Sequence, residues 1–322
     1  MTRTGRVELH THLEGSVTPA RLILLAEKYG QPGLPAACLS EDGSAYRFEG
    51  FVGFLNVFKH VTSLLRTPED FHAAALDLGS QLAADGVGYA EVTLSYGVLL
   101  KRDLDPLPVQ RALAEAAAEV AAAEGVDLRW IPDAVRQWGV DAAWRAWEAA
   151  ATGGRDLGVV GFGLGGDETS GPAADFAGLF AEVRSEGFGV TIHAGEIPGM
   201  GAAAVESVRQ AVVDCRAHRI GHGLAAAADP LLLATLAARE IFVELCPGSN
   251  VLTGGIGTWV DHPVRTFLDA GIPCCLNTDD RALFGLDLEG EYGRAAELLD
   301  LGETEHDHMQ KAARQAAFDF SD

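Results

Sequence analysis

Short runs of β-forming residues alternate with longer alanine- and leucine-rich segments along the chain, and this alternation restricts the fold more than any other feature. The helical segment 109–125, for example, is followed by a strand-like run and has Gly125 as its stop. Eight strands, seven helical connections and a helix after the last strand form an α/β fold of the (β/α)₈ or TIM barrel type. The predicted strands are 7–13, 88–95, 127–135, 159–166, 190–196, 219–223, 241–247 and 272–280.

A doubly wound parallel sheet is the alternative to a barrel. Against it, the first strand-to-helix turn lacks the Gly-x-Gly-x-x-Gly phosphate loop. The chain has 322 residues and no stretch that resembles a linker. Because single barrels run from about 200 to over 400 residues, we expect one domain over 1–322.

The segment of roughly 14–87 is too long for one connection between strands, so we expect inserted helices over the mouth of the barrel. Within it, Phe51, Phe54, Leu55 and Phe58 have the spacing of one helix face. This apolar stripe either packs against the barrel or forms a lid over a flat aromatic substrate. At the other end of the chain, Thr304-x-x-Asp307 has the pattern of a capping box that begins a closing helix.

The charge balance restricts the partners of this chain. It has 24 Lys and Arg against 46 Asp and Glu, a formal charge of −22. Such a surface repels phosphate backbones and anionic lipid, so neither nucleic acid nor membrane is an expected partner. Five cysteines without a Cys-x-x-Cys pair predict neither a disulfide framework nor a structural zinc. No apolar signal region is evident, so we expect a cytoplasmic protein, of unknown oligomeric state.

Unusual polar residues cluster at the ends of the predicted strands, where barrels carry their chemistry. His10 and His12 lie at alternate positions of the first strand, so their imidazoles share a face. Later strands end with His193 and Glu196, with His222, and with Asp279 and Asp280. Burying these groups together without a cation would be costly. The remaining six histidines are assigned to solvated surface: His60, His72, His218, His262, His306 and His308.

Three histidines and a carboxylate with one open position suit a catalytic zinc, although another divalent metal fits nearly as well. Zinc lowers the pKa of bound water from 15.7 to about 7 and so supplies hydroxide at neutral pH. In two-metal sites of this layout a modified lysine usually bridges the ions. The four lysines of this chain avoid every predicted strand end, which favours a single metal.

Six motifs occur in order over nearly the whole chain: HTHLEGS (10–16), GGDE (165–168), HAGE (193–196), RIGHG (219–223), CPGSN (246–250) and NTDD (277–280). With this set of motifs the sequence resembles the adenosine and adenine deaminase family of the amidohydrolase superfamily. The resemblance implies that His10, His12, His193 and Asp279 are the zinc ligands, and Asp279 thereby also counts as catalytic.

The same resemblance implies roles for four further residues. Glu196 corresponds to the acid that protonates the purine ring nitrogen beside the reacting carbon. His222 corresponds to the residue that orients the metal-bound water and helps to deprotonate it. Asp280 and the backbone N–H of Gly166 would hydrogen-bond ring nitrogens on opposite edges of the purine.

Elementary chemistry agrees with such an acid. Hydroxide that adds to an amino-substituted aromatic carbon breaks the aromaticity, so the ring must be protonated at the same time to avoid a high-energy anion. Ammonia then leaves. Because Glu196 lies beside His193, we expect its carboxyl to be shielded from water and its pKa to be raised, as suits an acid.

The identity of the aminopurine is open, because the sequence departs from the family at informative positions. Glu14 and Gly163 stand where many adenosine deaminases have aspartate, and at Glu14 that aspartate contacts the ribose. Arg281 replaces the usual proline, and Arg136 follows the third strand. These arginines either bind an anionic group of the substrate or neutralise neighbouring carboxylates. The candidate substrates are adenosine, a 5′-modified adenosine such as aminodeoxyfutalosine of menaquinone synthesis, and free adenine.

Other classes of function compete with a deaminase. The chain would be a binding protein if it kept the fold and lost catalysis, but the intact set of ligands and acid argues against this. It would hydrolyse an ester or lactone if it followed other single-metal barrels, whereas Asp279-Asp280 and the GGDE turn favour a purine. A cytidine-type zinc deaminase is excluded, because its Pro-Cys-x-x-Cys signature is missing.

Overall fold

Eight parallel strands follow one another around a single sheet in the order of the chain. The computed structural model describes residues 5–197 and 199–319. Neighbours pair from β1 to β8 in sequence, and each pair is parallel. The predicted (β/α)₈ barrel is therefore confirmed. The strands are β1 Arg6–His12, β2 Val87–Ser95, β3 Asp127–Val135, β4 Gly161–Gly165, β5 Gly189–Ala194, β6 Arg219–His222, β7 Phe242–Leu245 and β8 Cys274–Leu276.

Helices surround the sheet and connect its strands. Within the described residues none of them has the length and apolar character that a bilayer crossing requires. The α-helices are α1 Pro19–Tyr29, α2 Gly50–Leu64, α3 Pro68–Ala84, α4 Tyr96–Lys101, α5 Pro106–Ala123, α6 Val140–Gly153, α7 Ala177–Ser185, α8 Ala202–Val213, α9 Pro230–Ala238, α10 Pro247–Leu252, α11 Val264–Asp269, α12 Arg281–Phe284, α13 Leu288–Leu299 and α14 Glu303–Ala316.

The helix α5 illustrates how the sequence determines these elements. The carboxylate of Asp105 accepts the backbone N–H of Leu107, and Pro106 occupies the first turn, where no N–H is needed. Its buried face turns towards the sheet and the neighbouring α3. Gly125, just beyond the helix, has a φ of 74° and so provides the left-handed turn that ends it. The helix thus begins three residues before the predicted start, at Pro106, and ends near the predicted stop.

The segment between β1 and β2 contains α1, α2 and α3. Its aromatic stripe lies on α2, where Phe54 is buried and stacks on Phe284 of α12 with 4.9 Å between ring centroids. The closing helix is placed differently from the prediction. Gly302 donates its N–H to Glu305 Oε2 over 2.9 Å, so α14 begins at Glu303 and the predicted Thr304-x-x-Asp307 capping box is wrong.

A buried ion cluster occupies the barrel interior below the strand ends. Arg219 of β6 lies 2.6 Å from Glu91 Oε2 and 2.6 Å from Glu244 Oε1, and all three side chains are almost fully buried. Each charge in this cluster depends on the others, because an isolated buried charge is costly.

We predict that Arg219→Met destabilises the fold by about 3–5 kcal/mol, because it leaves two buried carboxylates without their cation. Urea unfolding followed by circular dichroism measures the change. Arg111→Met, at an exposed position of α5, is the matched control and should change stability by less than about 0.5 kcal/mol. Equal stabilities of the two variants would contradict the role of the cluster.

Candidate active site

The barrel closes where β1 meets the residues after β8. Asp279 donates its backbone N–H to His10 O over 3.0 Å and accepts the N–H of His12 over 3.0 Å. The Thr11 hydroxyl also donates to the carbonyl of Asp279. Asp279 has a φ of 62°, an uncommon conformation for a residue with a side chain. This closure places its carboxylate beside two imidazoles of β1.

Five side chains at the closure form one cluster. His10, His193, His222 and Asp279 each offer one ligand atom, and these four atoms lie within 4.8 Å of one another. His12 Nε2 lies 3.2 Å from Asp279 Oδ1 and 3.3 Å from His193 Nε2. The structure therefore brings together the four predicted zinc ligands, and it adds His222 to the same cluster.

The hydrogen bonds of the cluster fit a metal. His10 Nδ1 lies 2.7 Å from Glu244 Oε2, so in the neutral ring this nitrogen carries the proton and Nε2 has the lone pair. That Nε2 is buried and has no hydrogen-bond partner among the described residues. The Ser249 hydroxyl donates to Asp279 Oδ2 over 2.6 Å and leaves Oδ1 facing the imidazoles. Such carboxylate and hydroxyl partners orient metal ligands in known sites.

The raised pKa values of two imidazoles show that the cluster favours bound positive charge. Burial alone would lower the pKa of His10, but the neighbouring carboxylates of Asp279 and Glu244 outweigh it and raise this pKa to about 10. The pKa of His12 is likewise raised to about 9. Burial and the positive charges of His10 and His12 lower the pKa of His193 well below its ordinary value. A divalent cation would replace these protons, because imidazole ligates metals in its neutral form.

His222 is held by a chain of polar side chains behind it. Asn250 Nδ2 donates to His222 Nδ1 over 3.0 Å, and Asn250 Oδ1 lies 3.3 Å from His262 Nε2. Burial lowers the pKa of His222 to about 3, so the ring is neutral. Rotating the Asn250 amide by 180° would exchange its donor and acceptor and move the His222 proton to the other nitrogen. The assignment of His262 to solvated surface is wrong, since this ring is buried behind the site.

Glu196 faces His222, with Oε2 3.5 Å from His222 Nε2. Burial and the charge of Asp279 raise the pKa of Glu196 to about 8, which confirms the predicted direction. The buried carboxylate of Glu168 holds the turn that carries it. This carboxylate accepts backbone N–H groups from Gly195 over 2.7 Å and from Glu196 over 2.9 Å.

A cavity of about 910 Å³ opens above the cluster. The aromatic stripe of α2 and Phe284 form its apolar wall, so the stripe both packs on the barrel and faces the cavity. Gly166, with a φ of 94°, contributes a stretch of bare backbone. Glu14 and Asp280 also line the cavity, and burial and Asp279 raise the pKa of Asp280 to about 8.

Gly15 makes room for Asp280. A Cβ atom at this position would lie 1.8 Å from Asp280 Oδ1, so only glycine fits between the first turn and the carboxyl. The position of Asp280 against the cavity therefore depends on a glycine inside the first motif.

Arg136 and Arg281, the two candidates for binding an anionic substrate group, lie outside the cavity. Arg136 is buried and donates to the carbonyl oxygens of Gly171 and His193. Arg281 is buried and pairs with Glu8 and Asp85. Neither side chain lines the cavity. This placement does not favour contact with an anionic substrate group. Arg281 fits the alternative, neutralisation of neighbouring carboxylates, whereas Arg136 binds backbone carbonyl oxygens.

Several residues of the site were not assigned a role from the sequence. Glu168, Ser249 and Asn250 lie inside the motifs GGDE and CPGSN, so the motifs were a usable signal for them. The others carry no local pattern, because distant segments bring them to the cavity or behind a ligand: Asp133, Glu244, His262, Lys59 and Lys101.

Comparison with known proteins agrees with this geometry. The model of the adenosine deaminase family matches residues 5–322. The chain belongs to the adenosine deaminase family. It is 38% identical over 296 residues to an aminodeoxyfutalosine deaminase of Acidothermus cellulolyticus, covering 91% of this chain and 82% of that protein. It is 36% identical over 313 residues to an adenine deaminase of Mesorhizobium japonicum, covering 97% and 94%.

Its fold is also that of a solved family member. The crystal structure of an adenine deaminase from Arthrobacter aurescens superposes with a TM-score of 0.87 at 25% identity, covering 98% of this chain and 94% of that one. As a member of the adenosine deaminase family with deaminase relatives, the chain is a hydrolase that acts on C–N bonds. A binding protein without catalysis is thereby set aside.

We predict that Ser249→Ala weakens zinc affinity about 10-fold or more, because Asp279 loses the donor that orients it. Competition with a chelator of known zinc affinity measures the change. Ser185→Ala, exposed at the end of α7, should leave zinc affinity unchanged. Equal affinities of both variants and wild type would show that the hydroxyl does not support a metal ligand.

Proposed function

We propose that this member of the adenosine deaminase family hydrolyses the amino group from the adenine ring of an aminopurine nucleoside and releases ammonia. The observation that carries the proposal is the buried imidazole–aspartate cluster beside Glu196, at the floor of a cavity with an aromatic wall. Free adenine would be the substrate if the enzyme followed its adenine deaminase relatives.

We further propose that one Zn²⁺ binds His10, His12, His193 and Asp279. The unpartnered, buried Nε2 of His10 and the mixed nitrogen and oxygen donor set support this assignment. When bound, zinc supplies hydroxide at neutral pH by lowering the pKa of its water ligand. His222 stands beside these ligands as the group that orients the attacking oxygen and exchanges a proton with it.

The side chains around the cluster would perform the proton transfers. Glu196 has a raised pKa and is protonated at neutral pH, as an acid that protonates the purine ring must be. Asp280 also has a raised pKa, so its carboxyl has a proton to donate to a ring nitrogen on the other edge. The backbone N–H of Gly166 would meet the remaining ring nitrogen. The apolar wall of α2 and Phe284 would cover the planar base and exclude water.

We predict that Glu196→Gln lowers kcat for ammonia release by about 10²–10⁴-fold, because the amide has no proton to transfer to the ring. Zinc content measured on the same samples should equal that of wild type. Glu186→Gln, on the surface after α7, is the matched control. Activity near wild type in Glu196→Gln with zinc bound would remove Glu196 from the mechanism.

A 5′-modified adenosine with an anionic group is the second candidate substrate, and two lysines favour it. Lys59 of α2 and Lys101 of α4 both line the cavity and are exposed at its rim. The chain has only four lysines and a net charge of −22. Within the described ranges neither lysine has an ion-pair partner, so both ammonium groups remain available to an anion. The 38% identity to an aminodeoxyfutalosine deaminase is consistent with such a substrate.

We predict that the double variant Lys59→Met/Lys101→Met raises KM about 10-fold for an adenosine with a 5′ carboxylate, since each charge contact at a solvated rim contributes modestly. KM for adenosine itself should stay within about 2-fold. Steady-state ammonia release measures both. Lys311→Met, exposed on α14, should change neither value. Equal effects on charged and uncharged nucleosides would exclude this role of the lysines.

A further inference from the structure

We propose that Asp133 is a specificity-determining residue that accepts a hydrogen bond from a sugar hydroxyl of the substrate. This inference rests on the proposed deamination of an adenine ring and deepens it, because it distinguishes a nucleoside from a free base. Asp133 lies near the end of β3 and lines the cavity beside the cluster.

The neighbouring strand β4 leaves the space that Asp133 fills. Asp133 is paired with Gly163 in the sheet register. A Cβ atom at Gly163 would lie 3.2 Å from Asp133 Cβ, and one at Gly165 would lie 2.9 Å from Asp133 Oδ2. Because neither glycine has a side chain, Asp133 of the adjacent strand has room beside them, and its carboxyl lies next to the glycine backbone.

One carboxyl oxygen of Asp133 lacks a partner. Oδ1 is buried and has no hydrogen bond within the part of the chain that the structure describes, and the residue as a whole is 5% exposed. A buried polar atom without a partner is costly. At the wall of a substrate cavity, the missing donor is supplied most simply by the substrate.

A second carboxylate, that of Glu14 in the turn after β1, lines the same cavity. Ser95 pairs with Asp133 in the register and donates its backbone N–H to Glu14 Oε1 over 3.0 Å. Glu14 Oε2 is also buried and unpartnered among the described residues. Two acceptor oxygens in one cavity suit a ligand with hydroxyl donors, such as the sugar of a nucleoside. In an adenine nucleoside the N–H donors of the base are those of the amino group at the reacting end, so they do not supply a donor to a wall on the sugar side.

The size of the cavity agrees with this assignment. At about 910 Å³ it is at the upper end of the range of about 300–1,000 Å³ that is usual for small-ligand sites. A nucleoside with a substituent uses such a volume more fully than a purine base. Asp133, the cluster and the two lysines all line this one cavity, so a nucleoside whose base lies at the cluster can place its sugar against Asp133.

The test compares Asp133→Asn and Asp133→Ala with wild type on adenosine, 2′-deoxyadenosine, 3′-deoxyadenosine and adenine, with ammonia release as the readout. We expect Asp133→Ala to lower kcat/KM for adenosine by about 10–100-fold, mainly through KM, as is usual for the loss of a charged hydrogen-bond partner. Asp133→Asn keeps an acceptor oxygen and should lose less. Adenine should react at the wild-type rate with both variants.

Comparison of the two deoxynucleosides identifies the sugar hydroxyl that Asp133 contacts. Wild type should lose a similar factor when the contacted hydroxyl is absent, and Asp133→Ala should then cause little further loss on that substrate. Asp141→Asn, exposed on α6, is the control and should react like wild type on all four compounds. Thermal unfolding of each variant shows whether the fold is retained.

Three results overturn the inference, and they differ from a failure of the proposed function. An equal loss on adenosine and adenine would make Asp133 structural, and no loss on adenosine would make it irrelevant. Wild type that deaminates adenine but no nucleoside would also refute it and leave deamination intact. Wild type, loaded with zinc, that releases ammonia from none of the adenine compounds would refute the proposed function itself.

Discussion

The pairing of Asp279 with β1 is the contact on which the site depends. Two backbone hydrogen bonds to His10 and His12 join the end of β8 to β1 and close the barrel. The same contact fixes the Asp279 carboxylate between two imidazoles, at a φ of 62° that few residues with side chains adopt. The same contact therefore closes the fold and assembles the cluster, and a chain that failed to close would not bring Asp279 to the imidazoles of β1.

Closing the barrel also buries charges that must be neutralised inside it. Arg281 pairs with Glu8, 273 residues away in the sequence, and Arg219 pairs with Glu91 and Glu244. Glu244 continues this network to His10 Nδ1. The ion pairs of Arg219 and the cluster thus form one connected system. The arginines were expected at the mouth because their positions follow strands, but their partners lie in segments that no local pattern connects to them.

The parts of the structure that follow from local periodicity were predictable. Strand positions come from alternation and turn residues, and β3 was predicted with the bounds that the structure has. Alternation also placed His10 and His12 on one face. The start of α14 was missed because Glu305, and not Asp307, accepts the N–H of the residue before the helix, which is Gly302, two positions before Thr304. The burial of His262 was missed because its partner, Asn250, lies 12 residues earlier in the connection between β7 and β8, and no periodic pattern links the two.

The glycines of β4 show how neighbouring strands share the interior of this barrel. A Cβ atom at Gly163 would lie 3.2 Å from Asp133 Cβ, and one at Gly165 would lie 2.9 Å from Asp133 Oδ2. Asp133 of β3 therefore occupies space that side chains of β4 would otherwise fill, and it lines the cavity. Because side chains of neighbouring strands compete for one interior volume, the side chain that reaches the cavity at this point is determined jointly by β3 and β4. If Asp133 contacts the substrate as proposed, that contact depends on the two glycines beside it as much as on its own carboxyl.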